Sequence, residues 1–238
     1  MGGDYHHPTS LDELAGYGAR RLLNQDWFYM GLYGAPGLFK SSTGLLFCKK
    51  AQETSLPDVP FDPRRQVVRS AEQYHAARRR LPPGSWIMRD EGLTSGGNRM
   101  RFMSKLNNDV VEDVNTGRKK FHGVVECTPF ADDIDPRLQK HMHWTGRFHG
   151  KGLAKMHEVR VLGFKKTTVW EEHRFNLDIL HCAVLDPSLW QGYLDGLVVD
   201  PDGREMNPLE REERLNRYTQ GAAAILAGGL GVEDLEEE

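Results

Sequence analysis

The sequence predicts an α+β fold of mainly antiparallel strands, a single curled sheet closed as a barrel or folded as a sandwich, with N-terminal and C-terminal flanking helices. Three observations carry that expectation. From Gly84 onward, short apolar-polar runs alternate with turn signals, enough for roughly eight or nine strands in succession. In the run Lys140 to Gly152, KHMHWTGRFHGKG, His141, His143, Arg147 and His149 take odd positions, and Met142, Trp144 and Phe148 take even ones. Successive side chains of a strand point to opposite faces, so this run has an imidazole-rich face and an apolar face. Capped helices stand near both ends of the chain, at Ser10 and at Asn207.

The totals fit one domain over residues 1–230, followed by an acidic tail at 231–238 read as disordered. The chain has 238 residues, 39% hydrophobic and 27% charged, with a formal net charge of −3. That charge argues against broad nucleic-acid binding. Cys48, Cys127 and Cys182 are odd in number and far apart, which suggests reduced thiols rather than a disulfide framework. The N-terminal residues lack a basic region followed by an apolar run, and no apolar stretch is long enough for a bilayer span. The expectation is an intracellular, cytoplasmic protein with no membrane partner.

The first element is a helix near 10–24. Ser10 and Glu13 form a capping box, and Arg20 and Arg21 suit the negative end of the helix dipole. Residues 24–50 then read as a strand, a turn at Ala35-Pro36-Gly37 and a second strand ending near Cys48. Pro57, Pro60 and Pro63 mark a connector. Asp62 caps a second helix near 63–81, with Pro63 at its first position and Pro82-Pro83 as its stop. Beyond it, Ser85 to Glu91 reads as a strand, Thr94 to Met100 as a glycine turn, and Asn98 to Leu106 as a strand. Asn115-Thr116-Gly117 turns a hairpin.

After an acidic loop at Asp132 to Asp135 comes the histidine run. A turn at Gly150-Lys151-Gly152 leads to a strand over Leu153 to Phe164. A long strand covers Thr167 to about Val184, and another Gly192 to Asp200. Asp200-Pro201-Asp202-Gly203 then turns the chain into a helix near 208–227. The order of short helix, strand at Asn24 to Phe28, meander and late helix resembles the calycin arrangement. Gln25 stands where that pattern has a glycine two residues before the tryptophan.

The long strand carries the candidate chemistry. Phe175, Leu177, Ile179 and Ala183 share the odd face with Glu171, His173 and His181. A carboxylate that orients an imidazole is the requirement of general acid–base catalysis. Tight hairpins would set His157 opposite His173 and His143 opposite His157, one row of imidazoles. A one-residue shift of the first hairpin turns Met142, Trp144 and Phe148 inward instead. Burying those three is worth about 1.5–3 kcal/mol each, which favours the shifted register.

The expected function is binding of a small, largely apolar molecule inside the barrel. As an enzyme it would be a cofactor-free isomerase, cyclase or dehydratase. His173 would be the base, Glu171 its orienting carboxylate, and His157 or His143 the partner acid. Phe175, Leu177, His181 and Trp27 would line the ligand. One alternative is a non-enzymatic subunit of a larger assembly, meeting a protein partner through Arg64, Arg65, Arg69, Arg78, Arg79 and Arg80. Another is a metal-dependent cupin-like enzyme, because His-x-His on a strand can hold one ion. No cofactor is expected, with metal left open. The sequence contains no Gly-x-Gly-x-x-Gly, no Gly-x-x-x-x-Gly-Lys and no Gly-x-Ser-x-Gly.

Overall fold

In the computed structural model, residues 7–69, 71–90, 120–131, 134, 136–162 and 168–196 are described. Helix α1 (Leu11–Leu23) leads into β1 (Phe28–Tyr33), and α2 (Lys40–Ser55) follows. Next come α3 (Pro63–Gln66), β2 (Val67–Val68), α4 (Ala71–Arg80), β3 (Trp86–Asp90) and β4 (Gly123–Thr128). The short α5 (Pro136–Gln139) precedes β5 (Trp144–Gly150), β6 (Leu153–Leu162) and β7 (Thr168–Asp178). Helices α6 (Cys182–Leu185) and α7 (Pro187–Gly196) close the described chain.

The mainly antiparallel barrel or sandwich is not what forms. The sheet is mixed, open and seven-stranded, in the order β2-β3-β4-β1-β5-β6-β7. From β2 to β5 every pairing is parallel, and only β5-β6-β7 is antiparallel. The physical reason lies in burial. Every residue of β1, β3 and β4 is buried, so these strands carry apolar side chains on both faces. Strands covered on both faces belong to parallel sheets whose crossovers lay helices over them.

One such crossover is α2, where the sequence pattern suggested a second strand ending at Cys48. Residues 40–55 wind as a helix, and Gly44 lets it approach the sheet: a Cβ there would meet Cys127 Sγ and Met88 Sδ at 3.1 Å. On this face α1 and α2 pack Leu14, Leu45 and Phe47 against Phe28 and Trp86 of the strands. The opposite face packs Tyr74 of α4 and Leu138 of α5 on Tyr29, Ile87 and Val124.

Other segments also differ from expectation. The helix over 63–81 is interrupted by β2, where Val67 and Val68 pair with Met88 and Arg89. The long strand stops at Asp178, and Cys182–Leu185 is helical. Gly192 to Gly196 ends α7 rather than starting a strand. The glycine turn at 94–100, the strand at 98–106, the turns at 115–117 and 200–203, the helix at 208–227 and the tail lie outside the described residues. Among the described residues, no helix is long and apolar enough to cross a membrane.

Candidate functional site

Parallel pairing brings the carboxyl ends of β1, β3 and β4 to one edge. Tyr33 aligns with Thr128, and Asp90 with Cys127. Ligands of open α/β sheets gather at this edge. Here the chain leaves β1 through Gly34-Ala35-Pro36-Gly37-Leu38-Phe39 and enters α2 at Lys40. The Gly34 N–H donates to Pro129 O at 3.1 Å, tying the loop to the end of β4. Gly37 sits at φ +84°, with nothing within 4 Å of where a Cβ would lie. Phe39 is left-handed, at φ 69° and ψ 22°, a conformation that glycine adopts freely and that costs other residues about 1–2 kcal/mol. Lys40 folds back and donates from Nζ to Ala35 O at 2.8 Å.

The start of α2 differs from that of α1. Ser10 caps α1, with Asp12 and Glu13 in the first turn. At α2 there is neither a side-chain cap nor an acidic residue in the first turn. A helix start of this kind presents its first-turn N–H groups and positive dipole end to an anion, next to the Lys40 ammonium.

Asp90 completes the edge. Its Oδ1 accepts from Ser41 Oγ at 2.8 Å, and its Oδ2 accepts from the Tyr193 hydroxyl. The residue is 1% exposed, and among the described residues no ion pair reaches it. Among the described residues its donors are both hydroxyls, and such a carboxylate loses hydration on burial without gaining a counter-charge from them. Glu126, two residues before the end of β4, is satisfied differently. It accepts from Arg89 at 3.0 Å and from the Tyr29 hydroxyl, on the opposite face of the sheet. The Arg89 guanidinium lies 5.4 Å over the Tyr74 ring. Burial, then the Glu126 charge, hold the Tyr29 phenol well above its ordinary pKa.

Sequence reasoning missed this edge. Gly34 to Ser41 matches Gly-x-x-x-x-Gly-Lys-Ser at every fixed position except the sixth, where Phe39 replaces glycine. The available signal was a loop of that spacing between two apolar stretches, together with an apolar run, Trp86-Ile87-Met88, that ends in Asp90.

The histidine constellation forms in part. His157 and His173 are cross-strand partners with ring centroids 5.5 Å apart. Glu171 lies opposite Val159 and accepts from Arg147 Nε at 2.8 Å. His173 Nε2 is 3.1 Å from Asn176 Oδ1, and its side chain is exposed. Burial lowers the His157 pKa. His143 does not join the row, because Thr145 stands opposite His157. His143 instead accepts on Nδ1 from the Tyr29 N–H at 3.1 Å, stacks on Phe28 and meets the edge of Trp27. Burial, then the Arg21 charge, push its pKa down to about 3. Met142, Trp144 and Phe148 are buried, as the apolar argument required.

The remaining candidates are scattered. Phe175 and Leu177 are buried in the α1–α2 core and border an open groove of about 540 Å³, with Lys49 and Asp186 on its wall. This groove runs along the later turns of α2, away from Lys40. His181 caps α6 by accepting from the Ala183 N–H, and its ring meets Phe39 at 4.8 Å and Trp190 at 4.5 Å. Trp27 packs on Tyr29 and His141. Of the arginines, Arg64, Arg65, Arg79 and Arg80 are exposed, whereas Arg78 is buried over Tyr74 and Arg69 lies over Tyr193. Among the described residues, no cluster of three or more His, Cys, Asp or Glu side chains is arranged for a metal ion.

No known protein family matches this sequence, and no curated protein matches it. Among solved structures, the cytoplasmic domain of the Thermomonospora curvata type VII secretion ATPase EccC is similar at TM-score 0.37 and 10% identity. The match covers 61% of this chain and 24% of that one, so this chain spans about a quarter of its length.

Proposed function

We propose that this chain binds a nucleoside triphosphate, as its Mg²⁺ complex, at the carboxyl edge of the parallel strands. The observation that carries the reading is the meeting of a Gly34-to-Ser41 phosphate-type loop with the buried Asp90, which no ion pair reaches among the described residues. In such a site, loop N–H groups and the lysine take the phosphates, and the serine hydroxyl and carboxylate take the cation. The donor set here fits those roles. Lys40, now on Ala35 O, has a phosphate-seeking ammonium at the mouth of an uncapped helix. The Ser41 oxygen can face a cation while Asp90, each of whose oxygens accepts one hydroxyl among the described residues, keeps lone pairs for the water around that cation.

Phe39 does not block the reading. Phosphate cradling uses the loop backbone, and Phe39 holds the left-handed turn that places Lys40 at the helix start. Glu126 is excluded as a water-activating base at this edge, being committed to Arg89 and Tyr29 across the sheet. In sequence, Glu91 follows Asp90 directly, and it lies outside the described residues.

The test is equilibrium binding of a fluorescent ATP analogue with Mg²⁺ or with EDTA. The reading predicts Mg²⁺-enhanced binding that Ser41→Ala loses, with phosphate release followed in the same samples. Binding that ignores both Mg²⁺ and Ser41 would refute it.

A further inference from the structure

Asp90 is addressed from two directions, and only Ser41 belongs to the loop. The second donor, Tyr193, comes from α7, which follows the whole antiparallel β5-β6-β7 extension. Tyr193 is fully buried, and Trp190 stacks on its ring at 4.9 Å and 23°. The Arg69 guanidinium lies 5.0 Å from the ring centroid. The helix is itself anchored: a Cβ at Gly192 would reach Pro63 at 3.5 Å, Arg64 pairs with Asp195 at 2.8 Å, and Arg69 donates to Gly196 O at 3.4 Å. The phenol is therefore held at both ring and backbone, and its single proton is aimed at Asp90 Oδ2.

We infer that Tyr193 is the positioning residue of the cation site, fixing the Asp90 carboxylate so that Oδ1 faces Ser41 and the incoming Mg²⁺. This rests on the nucleotide reading above and adds to it a contribution from outside the loop. A carboxylate with one oxygen pinned has lost most of its freedom to rotate, so the ordering cost of cation binding has already been met. Partners of this kind, one step removed from a metal, alter metal affinity by about 10–100-fold when deleted. Tyr193 acts on the Mg²⁺ dependence and leaves the phosphate contacts of Lys40 untouched.

The experiment uses the full chain, a fluorescent ATP analogue and a Mg²⁺ titration of wild type and Tyr193→Phe. The substitution removes one oxygen and keeps the ring under Trp190 and Arg69. Expected are equal affinities in EDTA and a Mg²⁺ midpoint raised about 10–100-fold in the variant. Trp190→Phe, which loosens the same packing but keeps the phenol, should retain the wild-type midpoint even if it melts lower. An unchanged midpoint in Tyr193→Phe overturns the inference while leaving the nucleotide reading standing. Equal losses in EDTA and in Mg²⁺, or the same shift in Trp190→Phe, make Tyr193 a packing residue and also overturn it. A wild-type chain without Mg²⁺-dependent nucleotide affinity overturns both.

Discussion

Ser41 Oγ and Asp90 Oδ1 meet at 2.8 Å although 49 residues separate them in the chain. That bond joins the start of α2 to the end of β3, two elements whose own strands are separated in the sheet by β4. It exists because β1, β4 and β3 run parallel and deliver their carboxyl ends to one edge.

Phe39 holds a left-handed backbone while burying its ring against His181. Phe39→Ala loses the ring and keeps the strain, whereas Phe39→Gly loses the ring and relieves it. The glycine variant should be the more stable of the two by about 1 kcal/mol in urea denaturation. The reverse order would show that the loop does not need the left-handed turn.

Stability should fall as the solution is acidified below neutrality. Burial first, and the Arg78 charge second, depress the pKa of His122 to about 4, and His143 is pushed to about 3, both from 6.5. Each ring is neutral in the folded chain, so between these values and 6.5 the unfolded chain binds the extra proton. The contribution is complete above 6.5 and is lost progressively as pH falls toward 4 and then 3. For the 5% exposed His122 the slope approaches about 1.4 kcal/mol per pH unit. Urea midpoints from pH 7 to pH 4.5 measure it, and His122→Asn should flatten the profile. A pH-independent midpoint in wild type contradicts the assignment.

Arg89 and Glu126 form a buried ion pair that Tyr29 completes. Glu126→Gln leaves the guanidinium without its counter-charge, and the loss should be about 3–5 kcal/mol. Replacing both partners, as Arg89→Met with Glu126→Gln, should recover much of it. If the double variant is as unstable as the sum of the singles, the pair is not the reason for the loss.

All three thiols are buried, and burial raises each pKa, that of Cys182 to about 12. Thiolate is the reactive form, so labelling by a disulfide reagent at pH 8 should be slow in the folded chain and fast in denaturant. Rapid labelling of any cysteine in the native state would contradict its burial.

The elements legible in the sequence are those with local signals. Ser10 and Glu13 mark the start of α1, and Gly152, at φ +73°, turns β5 into β6. The next hairpin sets His157 opposite His173 because its strands alternate on a half-exposed sheet. The parallel half carries no such mark. Phe28 pairs with Gly123 and Trp86 with the same residue, contacts that no neighbouring turn announces. Doubly buried strands lose their alternation, so β1 and β3 read as generic apolar runs. After Lys40, helix α2 opens with Ser41, Ser42, Thr43 and Gly44, weak helix formers, so its first turn carries little helical signal in the sequence. Phe39 hides the loop by standing where the second of the pattern's two glycines would be.

The most direct measurement of the central claim is calorimetric titration of Mg²⁺-ATP into wild type and Lys40→Ala. Lys40 sits at the mouth of α2 and supplies the only loop ammonium between Gly34 and Ser41. The account predicts saturable binding to wild type and a loss of roughly tenfold or more in the variant, the worth of a charge-assisted contact to phosphate. Equal affinities for the two proteins, or no heat from either, would contradict it.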